Sequence, residues 1–212
     1  MSCRQAALVL VALSQVSLAT GVAYAQRQKF KIGGGAGFAF LAHPDIELGS
    51  TFALGGFFGL RFNDNVSLET GFHYARSNRV FNENGVPVDE TPDTPAFRFE
   101  NSRYQLDGTF VYNIGRRQPF HPFVFGGVGM RRGDEKQTDF TFEIDPETGQ
   151  DILVSSEVVL NETNYEIMGH VGAGAEIYFF YNLAARAEYR LWIPKDFSQR
   201  TQQFFFAASY YF

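Results

Sequence analysis

Sulfur is nearly missing from this chain. Of 212 residues one is cysteine, Cys3, and three are methionine. A disulfide framework and a thiolate metal site are both excluded, since each needs several cysteines. Past residue 25 no stretch approaches the roughly 18 uninterrupted apolar residues that a membrane-spanning helix requires. Positive charge is short too: 18 Lys and Arg face 23 Asp and Glu, for a net charge of -5. Nucleic acid wants a basic face, so that partner class is set aside. What is abundant is aromatic or small: 24 Phe, 10 Tyr and 21 Gly.

The front of the chain reads as an export signal. Arg4 supplies a short positive region, Ala6 to Leu13 an apolar run, and Ala23-Tyr24-Ala25 a small-x-small cleavage site. Cleavage after Ala25 leaves residues 26–212 as one domain and discards Cys3 together with Arg4, so the exported product carries -6. Cys3 also lies far ahead of where a lipoprotein cysteine would follow the apolar run. Only helices and closed barrels can satisfy their backbone groups inside a bilayer. An exported, aromatic-rich chain without a spanning helix therefore points to an outer-membrane barrel.

Period-two alternation, the strand period, marks eight segments. In KFKIGGGAGFAF, Phe30, Ile32, Ala36, Phe38 and Phe40 share a face opposite Lys29, Lys31 and three glycines. TFALGGFFGLRF sets Phe52, Leu54, Phe58, Leu60 and Phe62 against Arg61. After Asn63-Asp64-Asn65, a tight turn, VSLETGFHYAR opposes Leu68, Phe72 and Tyr74 to Ser67, Glu69 and His73. RYQLDGTFVYN places Tyr104, Leu106, Phe110 and Tyr112 outward, with Arg103, Gln105, Asp107 and Thr109 inward. PFVFGGVGM is apolar on both faces, so its facing stays open between Phe123 with Phe125 and Val124, Val128 with Met130. YEIMGHVGAGAEIYF turns Glu166, His170 and Glu176 inward, and LAARAEYRLW does the same with Arg186, Glu188, Arg190 and Trp192. The eighth, QQFFFAASYYF, shows Phe204, Phe206, Tyr210 and Phe212 on one face.

Connections near 63–65, 114–119 and 180–182 are short; those near 42–50, 78–96 and 131–163 are longer. Short turns on one rim and long loops on the other belong to a transmembrane barrel. The expected fold is all-β: an eight-stranded antiparallel up-and-down barrel, with Phe212 closing it against the first strand. A soluble lipocalin-like barrel would carry its apolar face inside. Here the face with charges must be the inner one.

In these stretches, above all GGFFGLRFNDNVSLETGFHY, GHVGAGAEIYFFYNLAARAEYRLW and ASYYF, the sequence resembles the small eight-stranded outer-membrane barrels, the group of the OmpA transmembrane domain and OmpX-like proteins. KIGGGAGFAF and PFVFGGVGM extend the likeness over most of residues 26–212. The resemblance implies that Tyr210 and Phe212 form the signal read by the barrel-assembly machinery. It also implies periplasmic chaperones, outer-membrane lipid and lipopolysaccharide as partners, a monomer, and loops facing outward from the cell. The family's peptidoglycan-binding domain is not expected here.

The inward charges are Lys29, Lys31, Arg61, Arg103, Arg186 and Arg190 against Glu69, Asp107, Glu166, Glu176 and Glu188, six against five. An eight-stranded lumen is only wide enough to be filled by side chains, so a salt-bridged plug is expected rather than a pore. His73 and His170 each lie four residues from a glutamate, roughly 13 Å along a strand, and no serine follows either at a useful spacing. No catalytic, cofactor or metal residue is expected, and no Asp-x-Asp-x-Asp-Gly calcium spacing occurs. Left open are a narrow solute channel and a lipid A-modifying enzyme.

The segment from Arg131 to Thr163 is far longer than a hairpin needs. QTDFTFEI alternates, Asp145-Pro146-Glu147-Thr148-Gly149 is a turn, and DILVSSEVVL returns with strand-like residues. Strands five and six should therefore continue above the membrane. With nine acidic residues against three basic, this hairpin carries -6 and is the candidate site for a host or surface ligand, recognised by strand addition.

Overall fold

The computed structural model describes residues 29–42, 47–82, 84, 86–88, 95–115, 120–144, 151–180, 182–195 and 200–212. The cleavage residues Ala23 and Ala25, and the turn at 145–149, lie outside these. Eight strands form a closed barrel in chain order, every neighbour antiparallel: β1 (Phe30–Ala42), β2 (Glu47–Arg61), β3 (Val66–Phe81), β4 (Phe97–Asn113), β5 (Phe120–Ile144), β6 (Asp151–Phe180), β7 (Leu183–Pro194) and β8 (Thr201–Tyr211). Closure runs through β1 and β8, from Lys31 opposite Tyr211 to Phe40 opposite Gln202. Beyond that ladder the Phe30 amide donates to the Phe212 carbonyl at 3.1 Å, and the Phe212 amide returns the bond at 3.0 Å. No edge strand remains at this level, so backbone pairing is complete where lipid would offer no partner.

The strands alternate buried with exposed, and the exposed set is apolar. Phe38, Phe52, Leu106, Phe110, Val128, Ile167 and Phe206 are exposed; the polar Glu69, Asp107, Glu176, Arg186 and Arg190 are buried. That arrangement inverts a soluble barrel and suits a hydrocarbon solvent. Aromatic rings collect at two levels of the outer wall. Phe30, Tyr112, Phe120, Tyr210 and Phe212 lie near the short turns; Tyr74, Tyr104, Tyr165 and Phe204 lie near the long connections.

The fifth strand's ambiguity resolves with Phe123 and Phe125 buried, and Val124, Val128 and Met130 exposed. The inner choice follows from room. Phe125 lies over Gly172 and Phe123 over Gly174 of β6, where any Cβ would occupy the ring's place. One inward assignment fails: Lys29 precedes β1 and is exposed. The Asn63 turn forms as its sequence suggests, its Oδ1 accepting from the Asn65 and Val66 amides at 2.9 Å each. At the β4–β5 turn Gly115 adopts φ 101°, a conformation open to glycine.

Candidate functional site

Two regions collect functional side chains: the lumen, and the sheet that β3 to β6 raise beyond the lipid-facing band.

In the lumen, alternation carries Lys31, Glu69, Asp107, Glu176, Arg186, Glu188 and Arg190 from five strands into one ion-pair chain. Lys31 Nζ lies 2.5 Å from Glu69 Oε1 and 3.2 Å from Glu176 Oε1. Arg186 reaches Glu69 at 3.0 Å, Glu176 at 3.3 Å and Glu188 at 2.6 Å. Arg190 joins Glu188 at 3.1 Å to Asp107 at 2.7 Å. The Tyr211 hydroxyl donates to Glu176. Each carboxylate thus faces at least one cation, as burial of charge demands.

Arg61 and Arg103 lie towards the two ends of this chain. Arg61 donates to the Tyr178 hydroxyl at 3.0 Å and lies 4.9 Å from the Tyr211 ring centroid. Arg103 donates to Asn101 Oδ1 at 3.1 Å and to Thr201 Oγ1 at 2.8 Å. Glu166 lies at the wall, 2.5 Å from Arg131.

Sequence reasoning placed Trp192 inward and left Phe123 and Phe125 open, but missed how the lumen's rings and guanidinium groups pair. The Arg186 guanidinium lies between Phe57 and Phe123, 4.6 and 4.4 Å from their centroids. Arg190 lies between Phe125 and Trp192, at 4.9 and 5.4 Å. A planar cation suits both the rings and the carboxylate fork; a lysine would suit neither as well. It also missed an apolar cap: Ala39, Leu41, Leu48, Ala53, Ala75, Phe81 and Phe99 cluster inside the long-connection end, with Phe97 and Leu160 against them.

The histidines find partners that strand spacing along one chain could not show. His73 Nε2 lies 3.4 Å from Asp107 Oδ2, and His170 Nε2 lies 2.8 Å from Thr109 Oγ1. The sequence reading looked for a serine beside each histidine; the hydroxyl that His170 meets belongs to a threonine of another strand. Thr109 is 0% and His170 1% exposed, so the pair is enclosed within the barrel. Among the described residues no group of His, Cys, Asp or Glu could hold a metal ion.

The second region is the hairpin. Beyond Met168, where β6 meets Pro194 at the end of β7, β5 and β6 stay paired from Arg131 opposite Glu166 to Ile144 opposite Asp151. β4 accompanies β5 as far as Phe97 opposite Asp139, and β3 accompanies β4 to Phe81. The connection expected near 42–50 is partly taken up by β1 and β2, and the one near 78–96 gives up only residues 78–81, to β3. Arg132 lies 5.9 Å from the centroids of both Tyr104 and Tyr165, at the boundary between aromatic band and polar sheet. Just above it, a hydrogen bond from Thr163 at 2.8 Å and one from Arg132 at 3.0 Å hold the Asp134 carboxyl below its usual range. Strand continuation explains why DFTFEI and ILVSSEVVL read as alternating residues rather than loop.

The sequence matches the family model described as outer membrane protein beta-barrel domain over residues 6–212. A search of curated proteins finds no match. Among solved structures, Neisserial surface protein A superposes with a TM-score of 0.55 at 16% identity, covering 86% of this chain and 97% of that one. Ail, the attachment invasion locus protein of Yersinia pestis, solved with the heparin analogue sucrose octasulfate, gives 0.55 at 14%, covering 87% and 99%. The N-terminal barrel domain of Pseudomonas aeruginosa OprF gives 0.50 at 15%, covering 87% and 98%. At such identities the likeness is one of fold.

Proposed function

The chain belongs to the outer membrane protein beta-barrel family, and from that membership we propose that it is a non-enzymatic surface-binding protein of the bacterial outer membrane. The barrel anchors it, and the extracellular sheet does the work, in adhesion or another host interaction. The paired extension of β5 and β6 carries this reading. A transmembrane strand needs about 9–11 residues, whereas β5 has 25 and β6 has 30. The 17 residues of β6 before Met168 reach about 55 Å along the strand. Ail's description as an attachment protein agrees with this class of function. Its polyanionic ligand does not transfer, because the segment from Arg131 to Thr163 carries -6 here and favours a basic surface.

The remaining assignments follow the same reading. Residues 1–25 act as the export signal cut after Ala25, and Tyr210 with Phe212 serve as the assembly signal. Lipopolysaccharide of the outer leaflet surrounds the barrel, and the ion-pair chain serves as a plug. The apolar cap and the filled lumen speak against the channel reading. Replacing Gln137 to Asn161 by a short glycine-containing turn should leave a folded barrel and abolish attachment of expressing cells to host-cell monolayers. A shortened protein that folds while its cells attach as before would sink the reading.

A further inference from the structure

We propose that the cleft between the β2–β3 turn and the outer wall, at the short-turn rim, binds the ammonium headgroup of a zwitterionic phospholipid.

The cleft holds about 440 Å³ and is lined by Asn63, Asp64, Asn65, Val66 and Tyr112. That volume is ordinary for a small-ligand site. Its position follows from the strands. Val66 and Tyr112 are partners in the β3–β4 ladder. Even-numbered residues of both strands face outward, as the exposed Leu68, Phe72, Phe110 and Tyr112 show. The floor of the cleft is therefore lipid-facing wall, and the turn forms its roof. Short turns mark the periplasmic side, so the cleft opens where phospholipid headgroups meet water.

The chemistry favours a cation. The turn spends donors on itself: the Asn65 and Val66 amides reach Asn63 Oδ1 at 2.9 Å each, and the Asn63 amide reaches the Val66 carbonyl at 3.4 Å. Asn65 Nδ2 reaches the Asn113 carbonyl at 3.0 Å. An anion would need such donors free. The cleft offers instead the exposed Asp64 carboxylate, which has no ion-pair partner among the described residues, and the exposed Tyr112 side chain. Arg61, just ahead of the turn, is turned inward onto Tyr178 and the Tyr211 ring. A carboxylate beside an aromatic face suits an ammonium, since charge meets charge and the ring quadrupole adds attraction. Leu68, Phe110 and Leu106 continue the wall away from the rim, an apolar path for the acyl chains of the same molecule. That path is why the occupant is a lipid and not a free amine.

The test uses the full mature chain refolded in detergent micelles, with phosphatidylethanolamine and phosphatidylglycerol of identical acyl chains added in equal amounts. Native mass spectrometry reads which lipid stays bound. Wild type should retain the ethanolamine lipid about threefold or more over the glycerol lipid. Asp64→Asn keeps the turn but removes the charge, and should bring that ratio to about one. Tyr112→Leu keeps an apolar wall without the ring, and should lower the ratio part-way. Glu157→Gln, on the hairpin, should leave it unchanged. Heat-modified mobility on gels identifies the variants that fold. Wild type without preference, or either folded cleft variant at the wild-type ratio, overturns the proposal. So does loss of the preference in Glu157→Gln, because net charge alone would then be its cause. Water-soluble ethanolamine that displaces the lipid at equal concentration overturns the lipid assignment.

Discussion

Arg186 shows why this chain is rich in both glycine and phenylalanine. Its guanidinium needs carboxylates in its plane and rings on its faces, inside a lumen that eight strands leave narrow. Phe57 and Phe123 supply the faces, and they fit because Gly33 and Gly174 leave the adjacent wall bare. The charged partners were legible from alternation, since Glu69, Glu176, Arg186 and Glu188 all fall on inward positions. Their stacking on rings was not. Alternation puts Phe57 on the Arg61 side, but nothing in that run shows that its ring lies over Gly33 of the neighbouring strand. Arg186→Leu leaves three buried carboxylates short of a cation and should cost about 3–5 kcal/mol. Arg186→Lys keeps the charge but loses the stacked plane, and should cost about 1–2 kcal/mol. Urea unfolding of the refolded protein in detergent micelles measures both. An Arg186→Lys variant as stable as the wild type would show that the rings contribute nothing.

At the scale of elements, the eight strands, their order and most of their facing could be read in advance, because lipid on one side and polar groups on the other enforce period two. Extents could not. β3 runs to Phe81, into the stretch near 78–96 read as a connection, and β4 starts at Phe97, ahead of Arg103 where its alternation was read. Above the lipid band the outer face meets water, and Arg76, Asn78 and Glu100 replace Phe and Leu there, though pairing continues. The β5 facing was closed to sequence reading for the opposite reason, both faces being apolar. Closure of β1 on β8 gives a further expectation. Phe212 exchanges two backbone bonds with Phe30, and its ring stacks on Phe30 and Tyr210, with centroids 5.9 and 6.3 Å apart. Deleting Phe212 should leave export intact and lower the heat-modifiable, folded form in the outer membrane. Wild-type amounts of that folded form would refute the role given to this residue.

For the whole molecule, composition alone separated the membrane class and the sign of charge, and the hairpin's -6 was legible residue by residue. The division of the interior was not: ion pairs fill the lower and middle lumen, and an apolar cluster closes the end that opens to the cell exterior. That cluster draws on β1 to β4 together, with Leu160 of β6 against it, so no single strand reveals it. On the proposed reading, a barrel closed in this way acts through its outer sheet and not through its bore. Planar-bilayer recording of the refolded protein tests this most directly. A sealed lumen gives current indistinguishable from protein-free bilayers, whereas reproducible unitary steps in the wild-type protein would contradict it and restore the channel.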